Sequence, residues 1–361
     1  MKSSTILQYQ QGMDTKATEK ISIGGLRFSS EQTQVSLSEF SADFSDFTSF
    51  LEKLAQDQIS LPFLCIDTML GAHASICMSR EDFEQQRDQV SDTLQRYDLS
   101  PKLRNSTGSL TLFPHQSRLK ILGAVLEIFG KQKLPIHSLC SSISALVVNT
   151  DYHELNNAAQ ALETVFHLPD NHSPFRPPTK CNDIVNETVD SDHTTVVETA
   201  AVYWEPVIKI YGSCVKIDLH MTSVHVAEHQ LCLLGSQLQD VDSGRGVFEM
   251  AVIQRIDDKT YKLGLLHEST LMETYRTFFS SSDTLFSDLE QRPAELLYLY
   301  GPHFHDRYGV ASAAFRSLQK NQNELFAVGC AGTSIYLITP RKKAQLSADA
   351  LEKIFIVPRL S

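Results

Sequence analysis

One order of elements, strand–helix–strand–strand–helix, can be read twice in this chain, and it restricts the fold more than composition does. The first reading starts at the apolar alternation Ser109-Leu110-Thr111-Leu112-Phe113, followed by Pro114-His115. A helical stretch from Leu119 to Gly130 comes next, then strands at Leu139–Ser144 and Ala145–Val148, then a helix from Tyr152 to Phe166. The second reading starts at Leu296-Leu297-Tyr298-Leu299-Tyr300 and passes Pro302-His303 into a helix from Tyr308 to Lys320. Strands at Leu325–Ser334 and Ile335–Ile338 follow, then a helix near Ala348–Glu352 and a closing apolar run Ile354–Pro358. Four landmarks recur in order: Pro-His, Gly123 against Gly309, Phe129 against Phe315, and Cys140 against Cys330.

The other two quarters carry a weaker version. Thr33–Phe40, Pro62–Ile66 and His73–Met78 read as strands, with helices over Phe47–Ile59 and Glu81–Tyr97. Further on, Val215–Met221, Val247–Ile256 and Tyr261–Leu266 read as strands. Val224–Leu238 and Leu271–Phe279 read as helices, and Asp257–Thr260 as a hairpin turn. Four copies of β-α-β-β-α-β predict an α+β fold of four ferredoxin-like βαββαβ modules arranged as two pairs. The expected division is an N-terminal tail over 1–20, modules over 21–105 and 106–168, a linker over 169–201, and modules over 202–290 and 291–361. Pro169, Pro174, Pro177 and Pro178 mark the start of the linker.

Charge narrows the partners. Lys and Arg number 32 against 43 acidic residues, a net charge of −11. A chain of that balance is not expected to bind nucleic acid broadly, because phosphate neutralisation needs clustered cations, nor to dock on anionic lipid. No run approaches the length of a bilayer span, and the first residues lack the apolar core of a signal peptide. The expected location is the cytoplasm. The seven cysteines form no CxxC pair and mostly sit in apolar runs, as reduced buried thiols do.

The junction Asp306-Arg307-Tyr308-Gly309-Val310 resembles the Asp-x-x-Gly-Val of the ACT domain family at its first strand–helix turn. Leu139–Ser144, with Ser-Ser-Ile-Ser, is similar to the second strand in the regulatory region of aspartokinases. The resemblance runs over nearly the whole chain from about Ile21 and is strongest in the last module. It implies the tandem ACT regulatory region of an aspartokinase without the kinase domain. The Lys-Phe-Gly-Gly signature of that domain is missing, since Ile23-Gly24-Gly25-Leu26 shares only the glycines. The resemblance also implies an effector bound at this loop against a paired module, and a homodimer.

The expected function is therefore a non-catalytic regulatory protein that binds a small molecule, an amino acid in particular. The alternatives are a divergent aspartokinase-related enzyme and a ligand-free interaction scaffold. The expected effector-binding residues are Pro302, His303, Asp306, Arg307, Tyr308, Gly309 and Val310. A helix N-terminus offers free N–H groups and a positive dipole end, which suit an α-carboxylate. Asp306 either caps the helix alone or caps it and also receives the effector's ammonium. In the earlier copy the Gly123–Gly309 alignment puts Lys120 where Asp306 stands, so the two copies are not expected to bind the same thing. No catalytic residues, cofactor or metal site are expected. His225 and His229 lie four apart on the expected helix, but HVAEH is not HExxH and no third ligand is visible. GxSxG, GxxxxGK[ST] and GxGxxG are all absent.

Overall fold

The computed structural model describes residues 20–41, 44–97, 99, 101–169, 208–241, 247–280, 286–301, 304, 307–321, 323–331 and 334–357. The expected linker beyond Pro169 lies outside the described residues. In chain order the strands of the first half are β1 (Ile21–Ser22), β2 (Gly25–Phe28), β3 (Gln32–Ser38), β4 (Phe63–Asp67), β5 (His73–Ser79), β6 (Pro101–Phe113), β7 (Ser138–Ser141), β8 (Leu146–Asp151) and β9 (Phe166–His167). Those of the second half are β10 (Ile208–Lys209), β11 (Gly212–Ala227), β12 (Met250–Arg255), β13 (Thr260–Glu268), β14 (Phe286–Tyr300), β15 (Ala327–Ala331), β16 (Ser334–Pro340) and β17 (Phe355–Ile356). The helices are α1 (Ser45–Gln56), α2 (Arg80–Gln85), α3 (Arg87–Arg96), α4 (Leu119–Gln132), α5 (Leu155–Glu163), α6 (Leu231–Val241), α7 (Met272–Ser280), α8 (Val310–Lys320) and α9 (Ala344–Leu351).

The fold is mixed α+β around a large antiparallel sheet. Its order is β2-β6-β3-β5-β4-β15-β16-β14-β11-β13-β12-β7-β8, and β6 also pairs β8, so the strands close on themselves. Closure rests on long strands that serve two neighbourhoods. The first part of β6 pairs β3, while its end pairs β2 and β8. Likewise β14 pairs β11 along most of its length, and its last residues also pair β16. The two halves join edge to edge through β4–β15 and β7–β12.

Period-two alternation sorts the side chains into layers. Along β4, Leu64 and Ile66 meet the core under α1, α3 and α8, while Phe63 and Cys65 meet a core made of strand residues, Met69 and Phe326. Along β13, Tyr261, Leu263 and Leu265 face the helices α4 to α7, and Leu266 faces the strand-lined core. Helices thus cover both outer faces, and two stretches of sheet meet face to face between them. The inner layer is partly polar, and many of its polar groups are bonded. The Ser109 hydroxyl lies 2.6 Å from Asn149 Oδ1, and Gln254 Nε2 donates to the Cys65 carbonyl at 2.9 Å.

Several sequence expectations need correction. Val224–Ala227 is strand, not helix: Val224 and Val226 both point to the helix-covered core with His225 between them, a period of two. The Glu81–Tyr97 stretch breaks at Gln86 into α2 and α3. Gly123 lies inside α4, whereas Gly309 precedes α8 as its N-cap. Cys140 and Cys330 sit on corresponding strands but face opposite ways, Cys140 to the inner layer and Cys330 to the helices. Gly329 takes the place of Cys140 in β15, opposing Tyr336 as Cys140 opposes Val147.

Candidate functional site

Two helix pairs span the joins between the halves, α1 with α8 and α4 with α6. The first leaves a cleft. Gly309 has φ 84°. That left-handed conformation is one an L side chain adopts only at a cost. Gly309 starts α8 with no side-chain cap and no acidic residue in the first turn. Among the described residues no acidic side chain belongs to that first turn, so its N–H groups and dipole carry no counter-charge of their own there. Arg307 is 6% exposed, and Tyr308, Gly309 and Val310 line the same space. Ser312 and Arg316 of α8 extend that wall, and Glu52, Ala55 and Gln56 of α1 form the opposite one. The cleft measures about 480 Å³. That is enough for a small metabolite. Arg316 pairs with Glu52 across it, half-exposed and thus worth little to stability. Beneath lies a small hollow of about 20 Å³ against Leu51, Leu54, Leu64 and Phe304. It has room for about one water.

Aromatic contacts hold this pair apart at its far end. Phe315 of α8 packs on Phe44 at a centroid distance of 5.5 Å and on Phe47 at 5.3 Å. Both separations suit tilted or edge-on rings.

The second pair is closed. A Cβ at Gly123 would stand 2.5 Å from the Gly235 carbonyl oxygen, and one at Gly235 would run into the Glu127 backbone nitrogen. A Cβ at Gly130 would run into the Cys232 backbone. Small residues let these backbones touch, and the carboxylate of Glu127 accepts from Gln239 Nε2 at 2.6 Å. The loop ahead of α4 is stitched down as well. His115 is fully buried and stacks on Phe248 at 5.1 Å. Its Nδ1 accepts the Ser117 N–H at 2.8 Å. A neutral ring that accepts at one nitrogen donates from the other. The Nε2–H therefore donates to the Ser142 carbonyl at 2.8 Å. Burial lowers the pKa of this ring and favours the neutral form that the pattern needs.

Of the expected effector residues, Arg307, Tyr308, Gly309 and Val310 come together at the cleft. Pro302, His303 and Asp306 lie outside the described residues. Sequence reasoning missed Arg316, although it follows Gly309 by about two helical turns and so shares its face. It also missed the α1 wall, which nothing in the local sequence ties to this loop. His225 is on β11 with Nδ1 3.0 Å from Asp288 Oδ2, and His229 sits in the turn before α6. Among the described residues no group of three or more His, Cys, Asp and Glu is arranged to hold a metal ion. No helix among them is long and apolar enough to cross a membrane.

No family model matches the chain, and no curated protein matches its sequence. Solved structures do resemble it. The crystal structure of the aspartate kinase from Synechocystis superposes with a TM-score of 0.73 over 94% of this chain, at 11% identity. The regulatory subunit of aspartate kinase from Thermus thermophilus, ligand free, covers 40% of this chain and 99% of its own at 13% identity and a TM-score of 0.36. The aspartokinase III of E. coli in complex with lysine and aspartate covers 41% of this chain and 34% of its own at 13% identity and a TM-score of 0.32. The chain spans 57% of the Synechocystis enzyme's length. At such identity the likeness is one of fold, and the fold is aspartokinase-like over nearly all of this chain.

Proposed function

We propose that the chain is a non-catalytic regulatory protein of four ferredoxin-like, ACT-like modules, and that an amino acid binds in the cleft between α1 and α8. The observation that carries this reading is the start of α8 at Gly309, with Arg307 and Arg316 facing Glu52 across a cleft. An α-carboxylate suits the helix N-terminus and the guanidinium groups, and an ammonium suits Glu52. Strand order supports the modules: β6-β3-β5-β4 and β14-β11-β13-β12 each follow the order fourth, first, third, second of a βαββαβ unit. The last module and the second are completed from upstream, because β11 and β2 occupy their fourth-strand edges. The proposed module boundaries are therefore interleaved, with 25–28 belonging to the second module. A homodimer is part of this proposal.

A thermal-shift screen against the amino acids and ATP, followed by calorimetry, tests the reading. Ligand binding to the native state raises Tm. An amino acid should raise it, and Arg316→Ala should weaken that binding by about 1–3 kcal/mol, as loss of a charged hydrogen-bond partner does. ATP should neither bind nor be consumed. Aspartate-dependent ATP turnover would replace this reading with a kinase-related enzyme, and silence with every metabolite would leave an interaction scaffold.

A further inference from the structure

Lys262 of β13 is fully buried between the two faces of the sheet. Its Nζ donates to three backbone carbonyls, Asp67 at 3.0 Å, Met69 at 2.9 Å and Gly71 at 2.7 Å. Three carbonyls match the three N–H bonds of an ammonium, and His73 Nδ1 stands a little further off at 3.2 Å. The carbonyls converge because the turn after β4 curls through left-handed residues, Leu70 at φ 52° and Gly71 at φ 96°. The Asp67 carboxylate stands further off, 3.6 Å from Nζ, and accepts the Met69 N–H at 2.8 Å. Gly264 leaves room for the turn: a Cβ there would lie 3.1 Å from Asp67 Oδ2 and 2.5 Å from Met221 Cε.

The same turn is tied in two other directions. Leu70 N–H donates to Glu290 Oε2 on β14 at 3.1 Å. Thr68 donates its N–H to the Phe326 carbonyl at 2.8 Å and its hydroxyl to the Leu325 carbonyl at 2.7 Å. Leu325 and Phe326 follow α8, whose Leu318 carbonyl accepts the Asn323 N–H at 3.1 Å. On its other side the turn continues β4, whose Leu64 lines the hollow under the cleft. A buried ion is a poor source of net stability and a good source of specificity when its partners are fixed. We propose that this carbonyl cage, with the Lys262 ammonium as its tethered cation, is the joint that couples the cleft between α1 and α8 to the opposite face of the sheet. The inference stands whether or not the cleft binds an amino acid.

Residue-resolved hydrogen exchange on the full chain tests it with Lys262→Met and Lys262→Ala. Both variants should speed exchange by about tenfold at Thr68, Leu70 and Asn323 and along α8, since the cage carbonyls lose their donor and local opening becomes easier. n-Propylammonium, which replaces the side chain beyond Cβ, should restore Lys262→Ala and leave Lys262→Met unchanged. Faster exchange confined to residues 67–73 and β13, with α8 untouched, overturns the coupling. Failure of propylammonium to restore α8 in Lys262→Ala overturns the role of the ammonium. If neither lysine variant folds, Gly264→Ala, which presses on the turn and keeps the charge, should loosen α8 in the same pattern. An unchanged α8 in that variant sinks the proposal.

Discussion

The α4–α6 and α1–α8 pairs occupy corresponding places at the two joins between the halves, yet one is sealed and the other open. At the sealed pair three glycines, Gly123, Gly130 and Gly235, bring backbone against backbone. At the open pair phenylalanines set the spacing, and polar and charged side chains line what remains. The loop before α4 is pinned by His115 and by Phe248 N–H donating to the Ser117 carbonyl at 3.0 Å. The difference teaches that one packing geometry can seal a join or leave a cleft in it, depending on whether a side chain stands at the crossing.

The most damaging way to break this contrast is Gly235→Ala. Its methyl group meets backbone, which cannot swing aside. The expected loss is about 3 kcal/mol in urea unfolding, the upper range for overpacking. A change below about 0.5 kcal/mol, the range of neutral surface substitutions, would show that the glycines do not seal the pair. Gly309→Ala comes next, on the open side, because the backbone there is left-handed. Holding an L side chain in that conformation should cost about 1–2 kcal/mol. Full stability together with unchanged ligand binding would remove Gly309 from the site.

Acid gives a graded effect. His73 and His267 each titrate at about 4 in the folded protein. The chief cause is burial, which disfavours the charged ring. The unfolded chain takes up those protons near 6.5. The unfolded state thus binds more protons between the two values, and stability falls as pH drops through that window. Read at pH 6, just inside it, the loss should be on the order of 1 kcal/mol for each ring, and His267→Gln should remove its share. An acid limb unchanged by that substitution would mean other groups dominate. The smallest effect belongs to Arg316→Ala, which breaks a half-exposed pair with Glu52. Stability should change by no more than about 1 kcal/mol. A larger loss would make that pair structural adhesive, and the contrast between the two joins would weaken.

Much of the fold was legible because periodicity reports on local burial. Strands β3 to β5 and helices α1, α4 and α8 fall within a few residues of where their apolar spacing puts them. The misreadings have physical causes. Val224–Ala227 satisfies both a two-residue and a helical spacing over so short a run. Only its pairing with Tyr261–Leu263 and with Phe286 decides. The match of Cys140 to Cys330 equated residue types one position out of register, and in a strand one position is the opposite face. At the site, Arg307 to Val310 could be found because a glycine at a strand–helix junction is a local signal. Glu52 and Gln56 reach the cleft only through the β4–β15 pairing, which no local pattern encodes.

The loan of β2 to a neighbour far down the chain has a consequence in time. Gly25–Phe28 finds its partner only when Leu110–Phe113 exists. At roughly 5–20 residues per second of synthesis, the intervening eighty or so residues impose a wait of about 4–16 s. During that interval β3, α1, β4 and β5 can assemble while the earliest segment still lacks its seat. The second half repeats the schedule, since Gly212–Lys216 waits for Leu296–Tyr300. A ribosome stalled between the two points would hold a chain in which β3 to β5 can fold before β2 is seated, so the order of birth and the order of folding part company.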